Sequence, residues 1–344
     1  MSGRGKGRAR GPGIRGREGL WGWLFMAPAL VILGLFMVIP ILLALWVSFR
    51  SWSGLESPFG PGSQPVGLDN YAELLVEPGL AQRDFARGLR NNLYYVLGVV
   101  PVQTAIAFFL ALVLHQKVLR ARGFFRSAFY FPSITSSVAV ALVFMAIFQP
   151  NGVLNRTLEF FGLDGSVWLD DPRGLVHIVL GWFGVSEAPG FLQGRFMGLS
   201  WWDWLSGPSV TLTAIMAIAV WTTIGTFMLM FLAGLQNLPR DVDEAAVVDG
   251  ANRWQLFWRI TLPQMRPTLF LVLTLGIIGT WQVFDQIFVI SDGGPQKTSL
   301  TPAYLVYVFG FETRQMGLAC AVAFLLFLVI VLFTLLQRRL LRER

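Results

Sequence analysis

Six runs of apolar residues, separated by polar segments, organise the chain. They lie near residues 21–47, 93–114, 128–148, 210–232, 268–290 and 316–336. Each is long enough for a hydrocarbon core that takes about 20 residues of helix. Backbone groups in such a core must bond internally, which predicts helices. The first run carries Pro28, Gly34 and Pro40 and is too long for a signal-peptide core. The pattern predicts an all-α polytopic membrane protein with six transmembrane helices.

One polar segment, residues 244–263, has legible turn chemistry. Pro239 suits a first helical position, and Asp241, Asp243 and Glu244 follow where negative charge favours the helix dipole. Asp249-Gly250 predicts a helix stop, because glycine accepts the left-handed conformation. Asn252 is placed to cap a second short helix carrying Trp254, Phe257 and Trp258, and Pro263 is expected to close it. Two short helices on a glycine turn, with an apolar ridge, form a docking surface or an amphipathic element lying on the membrane.

Lysine and arginine are unevenly distributed. With the N-terminus inside, the inside segments 1–20, 115–126, 236–266 and 337–344 hold six, four, four and four, and the outside segments 48–92, 149–209 and 291–315 hold four, three and two, which accounts for all 27. The positive-inside rule then puts both termini and residues 244–263 in the cytoplasm. The Gly/Arg-rich stretch 1–20 is expected to be a disordered basic cytoplasmic tail. The net charge of +7 is thereby an orientation signal, and no nucleic-acid partner is expected.

Glu244-Ala245-Ala246, three residues, Gly250, nine residues, Ile260, one residue and Leu262-Pro263 resembles the EAA motif of permease subunits of binding-protein-dependent ABC importers. Further similarity lies in Gly67-Leu68-Asp69-Asn70-Tyr71, in Gly123-Phe124-Phe125-Arg126, in Asn151-Gly152-Val153-Leu154-Asn155, in 232–239, and in Phe284-Asp285-Gln286 with Gly293-Gly294-Pro295. The maltose/glycerol-3-phosphate type of carbohydrate permease is the most similar group. The resemblance implies a permease domain over 21–344, with its core importer region at about 88–337. It also implies that Glu244, Ala245, Ala246, Asp249, Gly250, Ile260, Leu262 and Pro263 form cytoplasmic coupling helices that dock an ATPase. The implied partners are a second homologous permease, cytoplasmic ATP-binding subunits that hold ATP and Mg, an extracytoplasmic solute-binding protein, the bilayer of the inner or plasma membrane, and a sugar-like solute. The chain departs from the group at an extracytoplasmic insertion, about 173–206.

The outside segment 149–209 is long for a loop. It holds Trp168, Trp182, Trp201, Trp202 and Trp204, and an apolar stretch, 175–185, too short to span. An interfacial helix or re-entrant cap is expected, since a seventh span would put the Arg-rich C-terminus outside. The sequon Asn155-Arg156-Thr157 is taken as chance.

Composition agrees: 54% of residues are hydrophobic and 14% charged, against about 25% charged in soluble domains. The single cysteine, Cys320, excludes an internal disulfide. His115 and His177 have no cysteine or carboxylate partner in the sequence pattern, so no catalytic residue and no metal set is expected. The segment 293–298 lacks the spacing of a phosphate loop. ATP hydrolysis therefore falls to a separate subunit, and the chain itself is expected to need no cofactor. A membrane-embedded enzyme or scaffold is the alternative to a transporter subunit.

Polar residues within spans are costly and default to function. Trp281, Gln282, Asp285 and Gln286 lie in the fifth run, with 281 and 285 predicted on one helical face. Trp221, Thr222, Thr223, Gly225 and Thr226 lie in the fourth, with 222 and 226 aligned, and Gln103, Thr135, Ser136 and Ser137 in the second and third. Trp281, Gln282, Asp285, Trp221, Thr222 and Thr226 are the candidate substrate path. Asp285 alternatively fixes the following loop, and the threonines alternatively bond their own helix. Aromatic faces with amides and hydroxyls suit a neutral sugar.

Overall fold

The computed structural model describes residues 18–116, 121–185 and 187–340. Most of the expected tail, up to residue 17, lies outside the described residues, as do 341–344.

Helix α1 (Glu18–Leu33) passes through a π-turn, Gly34–Val38, into α2 (Ile39–Val47), giving one continuous apolar element. Pro40 is the second residue of α2, directly after the π-turn, within a continuous helical path. A two-stranded ribbon, β1 (Arg50–Ser51) with β2 (Gln64–Pro65), and α3 (Asp69–Leu75) lead to α4 (Leu80–His115).

The 36-residue α4 starts well before the apolar run it contains. Its first turns bury Arg90, Asn91 and Asn92. Asn91 Nδ2 donates to the carbonyls of Lys297 (3.0 Å) and Leu300 (2.9 Å), and Asn92 Nδ2 to that of Trp281 (3.1 Å). These side chains satisfy loop carbonyls that would otherwise be buried unpaired.

The third run is broken. Helix α5 (Arg122–Ile134) ends before Thr135-Ser136, and α6 (Ser137–Phe148) restarts the chain. Pro132, in the last turn of α5, supplies no N–H, and Thr135 closes the end by donating its Oγ1 to Phe131 O at 3.0 Å.

Residues 149–209 form a cap at one end of the bundle. It contains α7 (Val153–Phe160), α8 (Leu175–Trp182), a ribbon of β3 (Arg195–Phe196) and β4 (Leu199–Ser200), and α9 (Trp201–Trp204). The short helix expected near 175–185 is α8. The base of the insertion is zipped: Leu175 N donates to Pro208 O (2.9 Å), Val176 N to Ser206 O (3.1 Å), and Val210 N to Arg173 O (3.1 Å). Burial pushes the His177 imidazole below its ordinary range, its hydrogen bond with Trp202 O opposing, and its ring stacks on Trp202 at 4.2 Å. Asn155 is buried, bonds Pro150 O and Ser166 O through Nδ2, and accepts from Trp168 Nε1 at 2.7 Å. Its amide is thus built into the cap, away from any glycosyl transfer.

Helix α10 (Val210–Gln236) returns through the bundle to the opposite end. There α11 (Arg240–Val248), α12 (Arg253–Leu256), a π-turn (Phe257–Thr261) and α13 (Leu262–Gln264) precede α14 (Arg266–Trp281). The helical stretches 253–264 and 266–281 are bent by 64°. Helices α15 (Asp285–Ile290), α16 (Pro302–Tyr307) and α17 (Met316–Leu340) complete the chain. Among the described residues five helices are long and apolar enough to cross a membrane, or six if the bent pair is one span.

Lipid is as apolar as leucine, so close helix contact depends on small residues. Ala107 and Ala111 of α4 and Ala214 and Ala219 of α10 are buried in these contacts. A Cβ on Gly225 of α10 would overlap the Phe129 carbonyl of α5. Beside it, Ser133 Oγ donates to Thr222 O at 2.6 Å and accepts from Thr226 N at 3.2 Å. The two helices are thus held with their backbones nearly in touch.

Candidate functional site

Two features stand apart: an exposed helical hairpin at one end of the bundle and a polar cavity within it.

Helix α11 stops in a Schellman arrangement. Gly250 N donates to Val247 O (3.1 Å), Ala251 N donates to Ala246 O (2.9 Å), and Gly250 has φ +84°. The left-handed stop expected at Gly250 is therefore present. Asn252 makes the expected cap, its Oδ1 accepting from Gln255 N at 2.8 Å while Gln255 Oε1 accepts from Asn252 N at 3.0 Å. Two expectations are corrected. Pro239 lies one residue before the first turn of α11. Pro263 does not close the second helix: the π-turn shifts the ladder, Leu262 N bonding Phe257 O, and the helical path continues through Pro263 to Gln264.

Along α11, Ala246 is buried whereas Glu244, Ala245, Asp249 and Gly250 are exposed and Val248 is 87% exposed. Trp254 is 70% exposed and Trp258 half exposed. Phe257 instead turns inward, its ring 6.0 Å from Phe108 of α4. Ile260, Leu262 and Pro263 are partly buried, and Met265 beyond them is fully buried. The ridge thus has an anchoring side and an open side that displays Val248 and Trp254.

The cavity, of about 300 Å³, lies between α4, α10 and α14 and reaches the α14–α15 break. Gln103 crosses it from α4, buried to 1% exposure, and its Oε1 accepts from Thr223 Oγ1 at 2.6 Å. Gly276 of α14 makes room, since a Cβ there would lie 2.8 Å from Gln103 Nε2. Ser137 Oγ donates to Asp285 Oδ2 at 2.9 Å, and Tyr95 OH to Gln286 Oε1 at 2.8 Å. Gln282, Asp285 and Gln286 therefore meet Gln103 and Ser137 in one cavity. Among the described residues no three His, Cys, Asp or Glu cluster as a metal set would.

The other candidates lie elsewhere. Helix α14 ends at Trp281, so 281 and 285 do not share a helical face. Trp281 is outside the cavity, 1% exposed and packed 5.1 Å from the Phe333 ring of α17. Trp221 is exposed on α10 with its ring edge-on to Phe144, and Thr222 Oγ1 bonds back to Ile218 O and Ala219 O. Thr226 is exposed and meets Ser133 through its backbone. None of the three lines the cavity. Tyr95 and Thr280 do, with no signal in the sequence, and so does Thr223, a polar residue of the fourth run outside the candidate substrate path. Thr223 is one residue from Thr222, a rotation of about 100° on a helix, and only the position of α4 decides between them.

The profile of the family described as "binding-protein-dependent transport system inner membrane component" matches residues 103–343. The probable ABC transporter permease protein YesP of Bacillus subtilis (strain 168) is 31% identical over 93% of this chain and 89% of its own. The lactose transport system permease protein LacF of Rhizobium radiobacter is 28% identical over 94% of both chains. A solved structure, a bacterial ABC transporter involved in import of the acidic polysaccharide alginate, superposes with a TM-score of 0.68 over 94% of this chain and 99% of its own at 21% identity, which establishes a common fold. The hairpin, the apolar bundle and these matches lead to one assignment: the chain belongs to the binding-protein-dependent transport system inner membrane components, as a permease subunit of an ABC importer.

Proposed function

We propose that this permease forms half of the translocation path for a sugar-like solute and couples it to ATP hydrolysis on separate subunits through residues 244–263. The observation that carries the proposal is the open side of the hairpin. Glu244, Val248 and Trp254 face away from the bundle at the end opposite the cap, while Phe257 and Met265 root the same segment in it. A rigid element with an exposed apolar ridge and a buried root transmits displacement between a docked subunit and the helices α10 and α14. The remaining partners are a second permease closing the cavity, ATP-binding subunits holding ATP and Mg, and a solute-binding protein on the cap side. The hairpin and both termini lie in the cytoplasm, in the inner or plasma membrane, following the charge distribution.

The cavity supports a neutral, hydroxyl-rich solute. Gln103, Gln282, Gln286, Ser137 and Thr223 supply amides and hydroxyls, and Asp285 is the one carboxylate among the lining residues. The lactose transport system of the similar LacF protein points the same way. ATP binding would favour the state in which the ATPase pair is closed and drive the cavity outward, because a ligand shifts an equilibrium only by its differential affinity for the two states. The test is reconstitution with the partner permease, ATPase and binding protein in nanodiscs, followed by a sugar panel. Sugar-stimulated ATP hydrolysis and uptake into vesicles are expected. A complex that hydrolyses ATP without transporting any solute bound by its binding protein would refute the assignment of the path.

A further inference from the structure

We propose that the cap inserts two aromatic tips, Phe160-Phe161 at the end of α7 and Trp182-Phe183 at the end of α8, into the lipid headgroup layer on its own side of the membrane.

The two tips are built alike. Each helix ends on two aromatic residues followed by a glycine and an aliphatic residue, Phe160-Phe161-Gly162-Leu163 and Trp182-Phe183-Gly184-Val185. Both glycines are left-handed, with φ +74° at Gly162 and +82° at Gly184. Leu163 N donates to Leu158 O (2.9 Å) and Val185 N to Leu180 O (3.0 Å), so the two turns close in the same way. Among the described residues nothing lies within 4 Å of where a Cβ on either glycine would sit, and the tips stand clear of the bundle. Phe160 and Phe161 are 84% and 72% exposed, and Trp182 and Phe183 are 78% and 79% exposed. Four large aromatic side chains held out at two matched turns are unfavourable in water and mark a surface that something covers.

Depth identifies the cover as lipid. Both helices start where a span ends. Gly152, just before α7, packs on the last turn of α6, since a Cβ there would overlap the carbonyls of Ala146 and Ile147. Gly174, just before α8, pairs with Ser209, whose Oγ caps α10 by accepting from Leu212 N at 3.0 Å. Helices α6 and α10 carry the apolar runs that end near 148 and begin near 210. An eight-residue helix is about 12 Å long, and the headgroup layer is about 5–8 Å deep on each side of the hydrocarbon. A tip whose helix leans over the surface therefore lies inside that layer, where tryptophan and other amphipathic aromatic side chains are favoured. Arg156, Glu159 and Asp164 are exposed beside the first tip. They hold it at headgroup depth, because charge in the hydrocarbon is costly.

The inference needs only that α6 and α10 cross the membrane, so its test does not depend on transport. The assembled transporter is placed in nanodiscs without binding protein, with Cys320→Ala and a single cysteine at position 160, 161, 182 or 183. Position 187, exposed elsewhere on the cap, is the aqueous reference. Each cysteine carries a fluorophore. Quenching is read with iodide in the buffer and, separately, with lipid bearing a nitroxide on its headgroup. Insertion predicts that the tip positions lose iodide quenching relative to 187 and are quenched more strongly than 187 by the headgroup nitroxide. The four positions are independent reporters, so one variant that fails to assemble leaves the others to decide. Iodide quenching at both tips equal to that at 187 overturns the inference, and protection that appears only on adding the binding protein assigns the tips to that protein instead. Protection from iodide and nitroxide alike, without binding protein, would mean that a partner permease covers them, and also overturns it.

Discussion

Thr223 of α10 donates its hydroxyl to the side-chain oxygen of Gln103 of α4 at 2.6 Å, across the cavity. The two partners are unequal. Thr223 Oγ1 also lies 2.7 Å from the Ala219 carbonyl, so its hydroxyl has a second acceptor, whereas no other donor reaches Gln103 Oε1 among the described residues. Removing the hydroxyl strands a buried acceptor, which costs about 1–3 kcal/mol. Thr223→Val should therefore lower the unfolding temperature of the assembled complex more than Gln103→Leu, and both should reduce uptake. Thermal unfolding in nanodiscs checks the order. The reverse order would mean that Gln103 is held by something other than Thr223.

Gly276 sets how far Gln103 can extend. A methyl at 2.8 Å from its Nε2 must displace the amide. Gly276→Ala should leave the complex assembled but shift solute affinity, and Gly276→Leu should fill the cavity and abolish uptake with insertion intact. Uptake against expression level reads this. Normal uptake by the leucine variant would move the path elsewhere.

The apolar runs were enough to predict an all-α bundle of membrane helices, although the third and fifth runs are broken, and the Gly250 stop and Asn252 cap were legible because each depends on neighbouring residues alone. Three things were not. The first turns of α4 read as loop because Arg90, Asn91 and Asn92 are polar, yet Asn91 and Asn92 are buried against carbonyls some two hundred residues away in sequence and Arg90 against the Asp203 carbonyl of the cap. The α14–α15 break was hidden in a continuous apolar run, so Trp281 was placed on the cavity face when its ring packs on Phe333. On α10, the choice of Thr222 and Thr226 over Thr223 depended on which face meets Gln103. Such contacts across the bundle leave no local pattern in the chain.

The hairpin ridge predicts a division of labour. Phe257 packs toward Phe108, so Phe257→Ala should destabilise the permease itself, by less than the roughly 3–5 kcal/mol of a fully buried phenylalanine. Trp254 is open, and Trp254→Ala should leave thermal stability unchanged while weakening ATPase association. Unfolding temperature and co-purification, measured on both variants, separate the roles. Equal loss of ATPase with equal stability in the two would mean that both rings face the partner.

Orientation can be read with single cysteines after Cys320→Ala. Glu187 and Arg253 are both exposed, on the cap and on the hairpin. Cysteine at 187 should label with an impermeant reagent in intact cells, and cysteine at 253 only after permeabilisation. External labelling at 253 would invert the topology and remove the hairpin from the ATPase side.

Gly250 carries the last prediction. Its φ of +84° is closed to other residues at ordinary cost, yet nothing lies within 4 Å of where its Cβ would sit. Strain and steric blockage are thus separable at this position. Gly250→Ala pays only the backbone term, about 1–2 kcal/mol, and Gly250→Asn pays less, because asparagine tolerates the left-handed region. Gly250→Asp tolerates the backbone similarly but adds a charge to the exposed turn beside Asp249. If the turn only needs its shape, hydrolysis stimulated by the binding protein should fall most for alanine, with asparagine and aspartate near wild type. If the turn docks on the ATPase, aspartate should lose co-purification and stimulated hydrolysis while asparagine keeps both, with insertion of all three variants unchanged. The proposed coupling role requires the second pattern. Wild-type hydrolysis and co-purification for Gly250→Asp, together with Glu244→Lys, would leave the hairpin as an exposed turn with no part in transport.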